Sequence, residues 1–573
     1  MIVKRSAMGA LAIVLTLSLL PRGAAAGGGL ASIKSSDLKQ WLTYIASDEL
    51  QGRAVYTTGI GLAAAYIERH LQSWDVKPAG DGGSYFQTVR VLGVRSTNRS
   101  TVTVEVGGES RTFADGEGVA FPKNVGGRRR FTIDRVEFAG YGLEAPRADH
   151  SDYVGKNVKD AAVVWLGNAG PKGLDQQIYR RVLLGRSRYA TEQLYAAAAV
   201  GPLADPGGAD GAGRAGEAGR AGGVGAVGAG GGGAPGRGRG AQIPNPDFTT
   251  SQRLDLPIPP NVNASDAFFE FLFSHAPTKY DELKRKASEQ EPLPSFRLEG
   301  VKLTFNLDAD YQIVRTQLAH NVMGIVEGSD GQLKRTYVAL GAHYDHVGYA
   351  QGGIVDGLRV GAPGRVTAGA IDDRIWNGAD DDGSGTVSVM AIARAFAEGP
   401  RPKRSVLLVW HSGEEAGLLG SRYFADYPTV PLDKIVAQLN LDMVGRNRDD
   451  RPDELNTVYL VGSDRISTEL HNLNRAANAS LPKPLTLNYE LNDPTDLEQL
   501  YFRSDHYSYA AKGIPIIFFT TGLHPDYHAN TDEVSKIEFD KMTRIAQMAY
   551  ETGWRIANLD HAPARDNLGP HAK

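Results

Sequence analysis

Between residues 320 and 535, apolar runs with the length of buried strands alternate with segments of helical periodicity, and this pattern is the strongest constraint on the fold. The apolar runs are Asn321 to Val326, Tyr337 to Gly341, Ser405 to Trp410, Val436 to Leu441, Val458 to Val461 and Ile514 to Thr520. Helical patterns lie at about Thr386 to Ala397, Ile466 to Ala477 and Lys536 to Trp554. The alternation predicts an α/β domain in which helices cover a buried sheet.

Four of these runs end in side chains that can bind a metal ion. In chain order they are His343 and Asp345, then His411, Glu414 and Glu415, then Asp442, and finally His524, Asp526 and His528. An acidic loop, Asp380 to Asp382, also enters the first helical segment. Open α/β sheets assemble their sites at the carboxyl ends of strands. One such residue is usually structural, but four strand ends and an acidic loop together predict a metal site.

Composition excludes several classes of site and partner. The chain has 573 residues and no cysteine, which excludes disulfide scaffolds, thiol nucleophiles and Cys-ligated zinc. A metal would therefore be held by His, Asp, Glu or backbone oxygen. The 62 Lys and Arg residues are offset by 66 Asp and Glu residues, giving a formal net charge of −4. Such a charge gives no support for nucleic-acid binding, which usually needs a basic domain.

The first 26 residues have the pattern of an export signal. Lys4 and Arg5 form a basic start, Met8 to Leu20 is apolar, and the small residues at 24–26 offer a cleavage site. A membrane anchor is the alternative, but the apolar stretch is shorter than the about 20 residues that a spanning helix needs. We therefore expect a signal peptide at 1–26, a periplasmic or secreted protein, and no stable membrane anchor after cleavage. The sequence leaves the oligomeric state open.

The middle of the chain has a different composition. Between residues 201 and 240, 18 of 40 residues are glycine. Such a stretch cannot bury enough apolar surface to offset its chain entropy, so we expect a disordered loop at about 198–242. Around it, from about Val89 to Leu307, short alternating segments such as Thr101 to Val106 are separated by turn residues. This texture predicts a small β-rich domain that the loop interrupts.

Four motifs, read in order, resemble the M28 family of zinc metallopeptidases, whose best-known members are bacterial aminopeptidases. They are the string Gly341 to Gly348, the string Asn377 to Gly385, Glu414 and Glu415 followed by Gly417, and Asp442 within Leu441-Asp442-Met443. As a set they are highly specific. The β-rich segment resembles, more weakly, a protease-associated (PA) domain, through Phe138 to Gly142 and Asp152 to Lys159.

The resemblance implies the architecture of the whole chain. The peptidase domain would be a three-layer αβα fold with a central mixed β-sheet, built from residues 33–89 and 317–559. A β-rich PA-like domain would be inserted at residues 90–316, and a C-terminal tail would follow at 560–573. The Gly- and Ala-rich connection from Gly352 to Ala370 is longer than the family often has, and we expect it to shape the rim of the site.

The resemblance also assigns roles to individual residues around two zinc ions per chain. His343 and Asp442 would bind one zinc, Glu415 and His528 would bind the other, and Asp381 would bridge them. Glu414 would be the general base, Tyr527 the oxyanion donor, and Asp345 the carboxylate that orients His343 from behind. These ligand types suit catalytic zinc, whose sites combine imidazole and carboxylate ligands with an open coordination position.

The implied function is that of an exported dizinc aminopeptidase, which removes N-terminal residues from peptides with a metal-bridged water. A carboxypeptidase-like, dipeptidase-like or glutaminyl-cyclase-like relative is the alternative, because such enzymes share the metal cage. A non-catalytic receptor or binding module of the same fold is disfavoured, since all five ligand positions and Glu414 are present. Ser504, Asp505 and His506 have the residue types of a hydrolytic triad, but consecutive residues cannot adopt its geometry. We interpret them as a turn in the site wall.

Overall fold

A computed structural model describes residues 29–203, 245–352 and 361–567, and the backbone alone of residues 354–355 and 358–359. Within these residues no helix is both long and apolar enough to cross a membrane. The predicted signal segment at 1–26, most of the predicted disordered loop at 198–242 and the end of the predicted tail lie outside the described residues.

The larger of two ten-stranded sheets is mixed, and four neighbouring parallel strands form its centre. In spatial order its strands are Phe248–Thr250, Phe86–Asn98, Ala309–Val326, Ser405–His411, Tyr337–His343, Ile435–Leu441, Ile516–Thr520, Thr457–Val461 and Thr486–Asn488, and Lys77–Pro78 pairs with Ala309–Val326. The four parallel strands are Ser405–His411, Tyr337–His343, Ile435–Leu441 and Ile516–Thr520. Their carboxyl ends therefore meet at one edge of the sheet.

Helices cover both faces of this sheet, because successive strand residues alternate between them. Leu340 and Leu408 pack on one side against the helices Ser35–Ile45, Thr58–Ser73, Gly385–Glu398, Thr468–Ala479 and Phe539–Asn558. Ala339 and Leu407 pack on the other side with residues from the helices Leu419–Asp426 and His506–Ala510. The predicted three-layer αβα architecture with a central mixed sheet is confirmed.

The second sheet lies in the segment predicted to be β-rich. In spatial order its strands are Ser295–Arg297, Val136–Ala139, Ala162–Val164, Ala198–Pro202, Asn261–Ala264, Gly118–Ala120, Glu109–Asp115, Thr101–Val106, Lys302–Leu307 and Arg129–Ile133. Three two-stranded ribbons add Glu144–Ala145 with His150–Ser151, Gly348–Tyr349 with Ile375–Trp376, and Ile354–Val355 with Leu358–Arg359. The second sheet has a separate core that contains Val104, Phe138 and Phe305.

The predicted β-rich segment also contains helices. They are Arg180–Leu184, Arg186–Arg188, Asp266–Leu272 and Tyr280–Ser288. The Asp266 and Tyr280 helices bury Phe268, Phe269 and Leu283 in the core of the second sheet. They are short, and tertiary packing rather than long periodicity stabilises such helices. The sequence pattern of alternating short strands therefore did not predict these helices.

Two long strands connect the sheets. Phe86–Asn98 pairs with Ala309–Val326 from Phe86 opposite Val322 to Asn98 opposite Ala309. The predicted domain boundaries, between residues 89 and 90 and between residues 316 and 317, fall inside these strands. The assignment of the domains, including the likeness to a PA domain, stays a prediction.

Candidate metal centre

The predicted site residues come from three strand ends, an acidic turn and the loop that follows a fourth strand. His343 is the last residue of its strand, and Asp442 follows the strand Ile435–Leu441 directly. Glu414 and Glu415 lie between the strand Ser405–His411 and the helix Leu419–Asp426. The structure brings these residues together at the carboxyl edge of the parallel strands, where the sequence pattern predicted a site.

The first cluster of ligand atoms contains His343, Asp381 and Asp442. His343 Nε2 lies 3.3 Å from Asp381 Oδ1 and 3.7 Å from Asp442 Oδ2. The three side chains each offer one ligand atom, and these atoms lie within 4.8 Å of one another. All three side chains are buried. This arrangement is compact enough for one metal ion.

The second cluster uses the other oxygen of Asp381. His528 Nε2 lies 3.1 Å from Asp381 Oδ2 and 3.0 Å from Glu415 Oε2. Asp381 therefore faces a histidine from each cluster with a different carboxylate oxygen. That is the position of a residue that would bridge two cations.

A third histidine, His346, was not among the predicted site residues. Its Nδ1 lies 2.9 Å from Glu415 Oε1 and 3.9 Å from Asp381 Oδ2, and its side chain is buried. Together, His346, Asp381 and Glu415 form a second group that could hold a metal. His346 follows Asp345 in the first motif, and this proximity to a ligand was the signal that could have identified it.

The three aspartates of the acidic turn have different partners. Asp380 Oδ1 accepts from the backbone N–H of Gly445 at 2.6 Å, and its Oδ2 lies 3.2 Å from His524 Nε2. Asp382 accepts from the N–H groups of His343, Gly385 and Met443 at 3.2, 2.8 and 3.3 Å. Asp381 alone of the three faces both ligand clusters. Its two neighbours hold the surrounding backbone.

Asp345 contacts both the loop of the two glutamates and His343. Its carboxylate accepts from the N–H groups of Glu414 and Glu415 at 3.1 and 3.3 Å. His343 Nδ1 lies 3.1 Å from the backbone oxygen of Asp345 and 3.7 Å from its Oδ1. The backbone carbonyl is therefore the nearer partner of the imidazole. A hydrogen bond there fixes which ring nitrogen faces the site.

Tyr527 lies beside the clusters on a loop that a second loop supports. Arg503 Nη2 donates to the Tyr527 hydroxyl at 3.1 Å, which leaves the phenolic proton available for another acceptor. Arg365 donates through Nη2 to the carbonyls of Pro525 and Tyr527, at 2.6 and 2.7 Å, and through its backbone N–H to His528 at 2.7 Å. The described end of the long connection thus packs against the loop that carries His528.

Ser504, Asp505 and His506 do not form a triad. Ser504 Oγ accepts from Asn440 Nδ2 at 3.0 Å, and His506 Nε2 bonds the carbonyl of Tyr501 at 2.9 Å. His506 also begins the short helix His506–Ala510. The three side chains are buried in the wall beside the clusters.

The charges in the site are tightly coupled. Burial opposes ionisation of His343, but Asp442, Asp345 and Asp381 raise its pKa well above the usual range. Burial likewise opposes the charge of Glu415, yet His528 holds the pKa of this carboxyl low, at about 2. Burial raises the pKa of Glu414 well above its ordinary value, and a cation nearby would oppose that shift.

The donor set fits a pair of divalent cations. His343 Nε2 and Asp381 Oδ2 are buried and make no hydrogen bond within the described part of the chain. Buried polar atoms normally have partners, because leaving them unpaired costs about 1–3 kcal/mol each. Two imidazoles and three carboxylates carry three negative charges, which two zinc ions would exceed by one. This chemistry matches catalytic zinc sites without thiolates.

One family model matches the segment that contains these clusters. Residues 321–553 match the model of peptidase family M28. This segment of the chain is therefore similar to family M28. The matched range contains all five predicted metal ligands together with Glu414, Asp345 and Tyr527. The residues before 321 lie outside the match.

Curated proteins similar to this chain include fungal aminopeptidases. Leucine aminopeptidase 1 of Trichophyton equinum is 28% identical over 220 residues, which cover 35% of this chain and 56% of the relative. Leucine aminopeptidase 1 of Ajellomyces capsulatus (strain H88) is 29% identical over 252 residues, which cover 41% of this chain and 56% of the relative. The chain thus spans just over half the length of these curated relatives.

Among solved structures, two bacterial enzymes align with nearly the whole chain. The aminopeptidase from Aneurinibacillus sp. strain AM-1 is 16% identical with a TM-score of 0.41, and the alignment covers 94% of this chain and 96% of that one. BSAP, a zinc aminopeptidase from Bacillus subtilis, is 15% identical with a TM-score of 0.41, and the alignment covers 94% of this chain and 99% of that one.

Proposed function

We propose that this chain is an exported metallo-aminopeptidase that uses two zinc ions to hydrolyse N-terminal residues from peptides. One observation carries the proposal. His343 and Asp442 lie on one side of Asp381, Glu415 and His528 lie on the other, and the nearest nitrogen–oxygen distances are 3.0–3.7 Å. Export is proposed from the signal pattern at residues 1–26.

In this proposal His343 and Asp442 would hold one zinc, Glu415 and His528 would hold the other, and Asp381 would be shared by the pair. When bound, such a pair polarises a scissile carbonyl and makes water a stronger nucleophile near neutral pH. His346 contacts Glu415 Oε1 and His528 contacts Oε2, so His346 would position this ligand through its other carboxylate oxygen. The substrate carbonyl would approach from the pocket beside Asp381 and Asp442.

Glu414 is the proposed general base. Its Oε2 lies 4.0 Å from His343 Nε2, and it belongs to neither group of clustered ligand atoms. It can therefore take a proton from the attacking water and pass it to the leaving amine. Asp345 fixes the backbone N–H of Glu414, which keeps the carboxyl at the site.

Tyr527 is the proposed donor to the oxygen that becomes negative during attack. Arg503 donates to the Tyr527 oxygen, so the Tyr527 O–H is directed elsewhere. Arg503 and Tyr527 both line the pocket that Asp381, Glu414 and Asp442 border. A donor aimed at a developing oxyanion contributes up to a few kcal/mol to the rate.

The pocket supports an apolar N-terminal residue as substrate. Its remaining wall contains the apolar side chains of Met443, Leu500, Phe518 and Leu523, together with Ser504 and Thr520. The apolar side chains would contact one aliphatic side chain, while the carboxylates that line the same pocket would favour a free amino group. The fungal relatives are named leucine aminopeptidases, in agreement with this preference.

The decisive experiment measures hydrolysis of aminoacyl p-nitroanilides by the purified protein, before and after chelation, together with elemental analysis. We expect leucyl and other apolar substrates to be cleaved, N-acetylated versions to be resistant, and about two zinc atoms per chain. Chelation should abolish turnover, and added zinc should restore it.

The same panel separates the alternatives. Cleavage of N-blocked peptides from the carboxyl end would indicate a carboxypeptidase, and activity on dipeptides alone would indicate a dipeptidase. Cyclisation of N-terminal glutamine without hydrolysis would indicate a glutaminyl cyclase. A protein that contains no transition metal yet cleaves at full rate would refute the dizinc proposal.

A further inference from the structure

Arg53 is a fully buried arginine whose guanidinium, within the described residues, donates to backbone carbonyls alone. It ends the 3-10 helix Asp48–Arg53, in the part of the chain that precedes the M28 match. Its guanidinium donates to the carbonyls of Tyr344 at 3.0 Å, Asn377 at 2.7 Å, Gly378 at 2.9 Å and Ile45 at 2.6 Å. Its side chain therefore joins three separate segments.

Two of these segments carry proposed metal ligands. Tyr344 lies directly after His343, and the backbone N–H of His346 donates to the Arg53 carbonyl at 3.2 Å. Gly378 lies three residues before Asp381, at the start of the acidic turn. Arg53 thus contacts the backbone on both sides of Asp345 and just ahead of the bridging aspartate.

The local backbone is held in a costly conformation. Gln51, Gly52 and Arg53 have φ values of 49°, 67° and 48°. A Cβ atom on Gly52 would lie 2.3 Å from the Gly348 carbonyl oxygen and 2.5 Å from that of Trp376. Left-handed φ angles at non-glycine residues persist only when the surrounding structure imposes them, and they cluster at functional sites.

The charge of Arg53 is also placed beside the site. Burial lowers the pKa of Arg53 to about 10, while Asp382, Asp345 and Asp381 act in the opposite direction, so it stays protonated at neutral pH. Among the residues that the structure describes, its hydrogen bonds reach no carboxylate. A cation without a carboxylate partner is costly to bury. We therefore expect the buried Arg53 guanidinium to have a specific role at this position.

We propose that Arg53 is a positioning residue that fixes the His343 loop and the Asp381 turn in the geometry for binding zinc. The proposal rests on the proposed dizinc function and extends its site to the N-terminal segment. A guanidinium suits the task because its five N–H donors lie in a rigid planar fork. Lysine, with one ammonium group, cannot reach four carbonyls that point from three segments.

The test compares Arg53→Met and Arg53→Lys with Arg404→Met in the full chain. Arg404 is 1% exposed and donates to Thr336 Oγ1 and to the carbonyls of Ile556, Leu559 and His561, away from the clusters. It is therefore a matched control for the loss of a buried arginine. Zinc affinity is measured by competition with a chromophoric chelator, and the melting temperature (Tm) is measured alongside.

We expect both Arg53 variants to bind zinc more weakly by about 10–100-fold, as for other residues that orient metal ligands. Arg404→Met should lower Tm and keep the zinc affinity of the unmodified protein. Arg53→Lys keeps the charge, so it decides the question if Arg53→Met fails to fold. With zinc restored to saturation, kcat should remain reduced while KM changes little.

Zinc affinity in the Arg53 variants equal to that of Arg404→Met would overturn the proposal. Tighter zinc binding by Arg53→Met, together with normal zinc binding by Arg53→Lys, would also overturn the proposal. In that case the charge of Arg53, and not its hydrogen bonds, would determine the zinc affinity. If the unmodified chain itself binds no zinc, the proposed function fails instead. The two failures are therefore distinguishable.

Discussion

At the scale of single residues, Glu414 gives the most direct test of the chemistry. Glu414→Gln keeps the shape of the side chain but cannot accept a proton from water. We expect kcat to fall by about 10²–10⁴-fold, the usual contribution of a general base, while two zinc ions remain bound. Steady-state kinetics and elemental analysis measure both effects.

The matched control for this change is Glu398→Gln. Glu398 is exposed at the end of the helix Gly385–Glu398, so its substitution should leave kcat unchanged. Near-normal turnover in Glu414→Gln would exclude Glu414 as the base.

Another residue-scale prediction concerns pH. Burial lowers the pKa of His506 to about 3, from an ordinary value of 6.5. Between these values the unfolded chain binds the proton and the folded chain does not, so stability falls as the pH drops from 6.5 towards 3. One such proton contributes a slope of about 1.4 kcal/mol per pH unit.

His506→Gln keeps a donor for the Tyr501 carbonyl and removes the titrating ring. We expect its free energy of unfolding to depend less steeply on pH between 6.5 and 4 than that of the unmodified protein. Urea unfolding at several pH values measures the slopes. Parallel curves for the two proteins would contradict a neutral, buried His506.

At the scale of elements, the loop that carries Tyr527 and His528 depends on a neighbouring loop. Arg365→Ala removes the side-chain hydrogen bonds to the carbonyls of Pro525 and Tyr527. We expect one of the two zinc ions to bind more weakly, by up to about tenfold, because His528 loses support. Stepwise zinc titration measures the two sites separately.

Arg374→Ala is the control for that experiment, since Arg374 is exposed in the same loop. Its zinc titration should match that of the unmodified chain. An equal effect from both substitutions would show that the loop acts through its net charge rather than through contacts with the His528 loop.

At the scale of the whole molecule, zinc should couple the site to overall stability. Without the metal, Asp381, Glu415 and Asp442 lie buried in one place, and a ligand that binds only the folded state stabilises it by mass action. At 100 times Kd this stabilisation is about 2.7 kcal/mol. We expect chelation to lower Tm by several degrees and zinc to restore it, as measured by calorimetry.

Magnesium serves as the control ion, because it prefers all-oxygen octahedral sites over sites with imidazole ligands. It should not restore Tm at the same concentration. A melting temperature that is insensitive to both chelator and zinc would contradict a structural link between the metal centre and the core.

Sequence periodicity predicted the strands and helices of the α/β domain well. The predicted helix at Thr386 to Ala397 is Gly385–Glu398, and the predicted strand at Ser405 to Trp410 is Ser405–His411. Buried strands with helical crossovers leave a strong pattern, because each must present apolar side chains to the layers around it. Short helices such as Asp266–Leu272 leave a weaker pattern, since a few buried residues suffice for them.

The sequence by itself determined the order of strands and helices, the metal-binding residue types at the strand ends, and the resemblance to family M28. Tertiary structure decided which side chains meet. His346 reaches Glu415, Asp345 holds the Glu414 loop, and Arg53 joins segments about 300 residues apart in sequence. Local sequence encodes periodicity and turn chemistry, whereas a hydrogen bond between distant segments depends on how the layers pack. A local sequence pattern therefore does not predict these contacts.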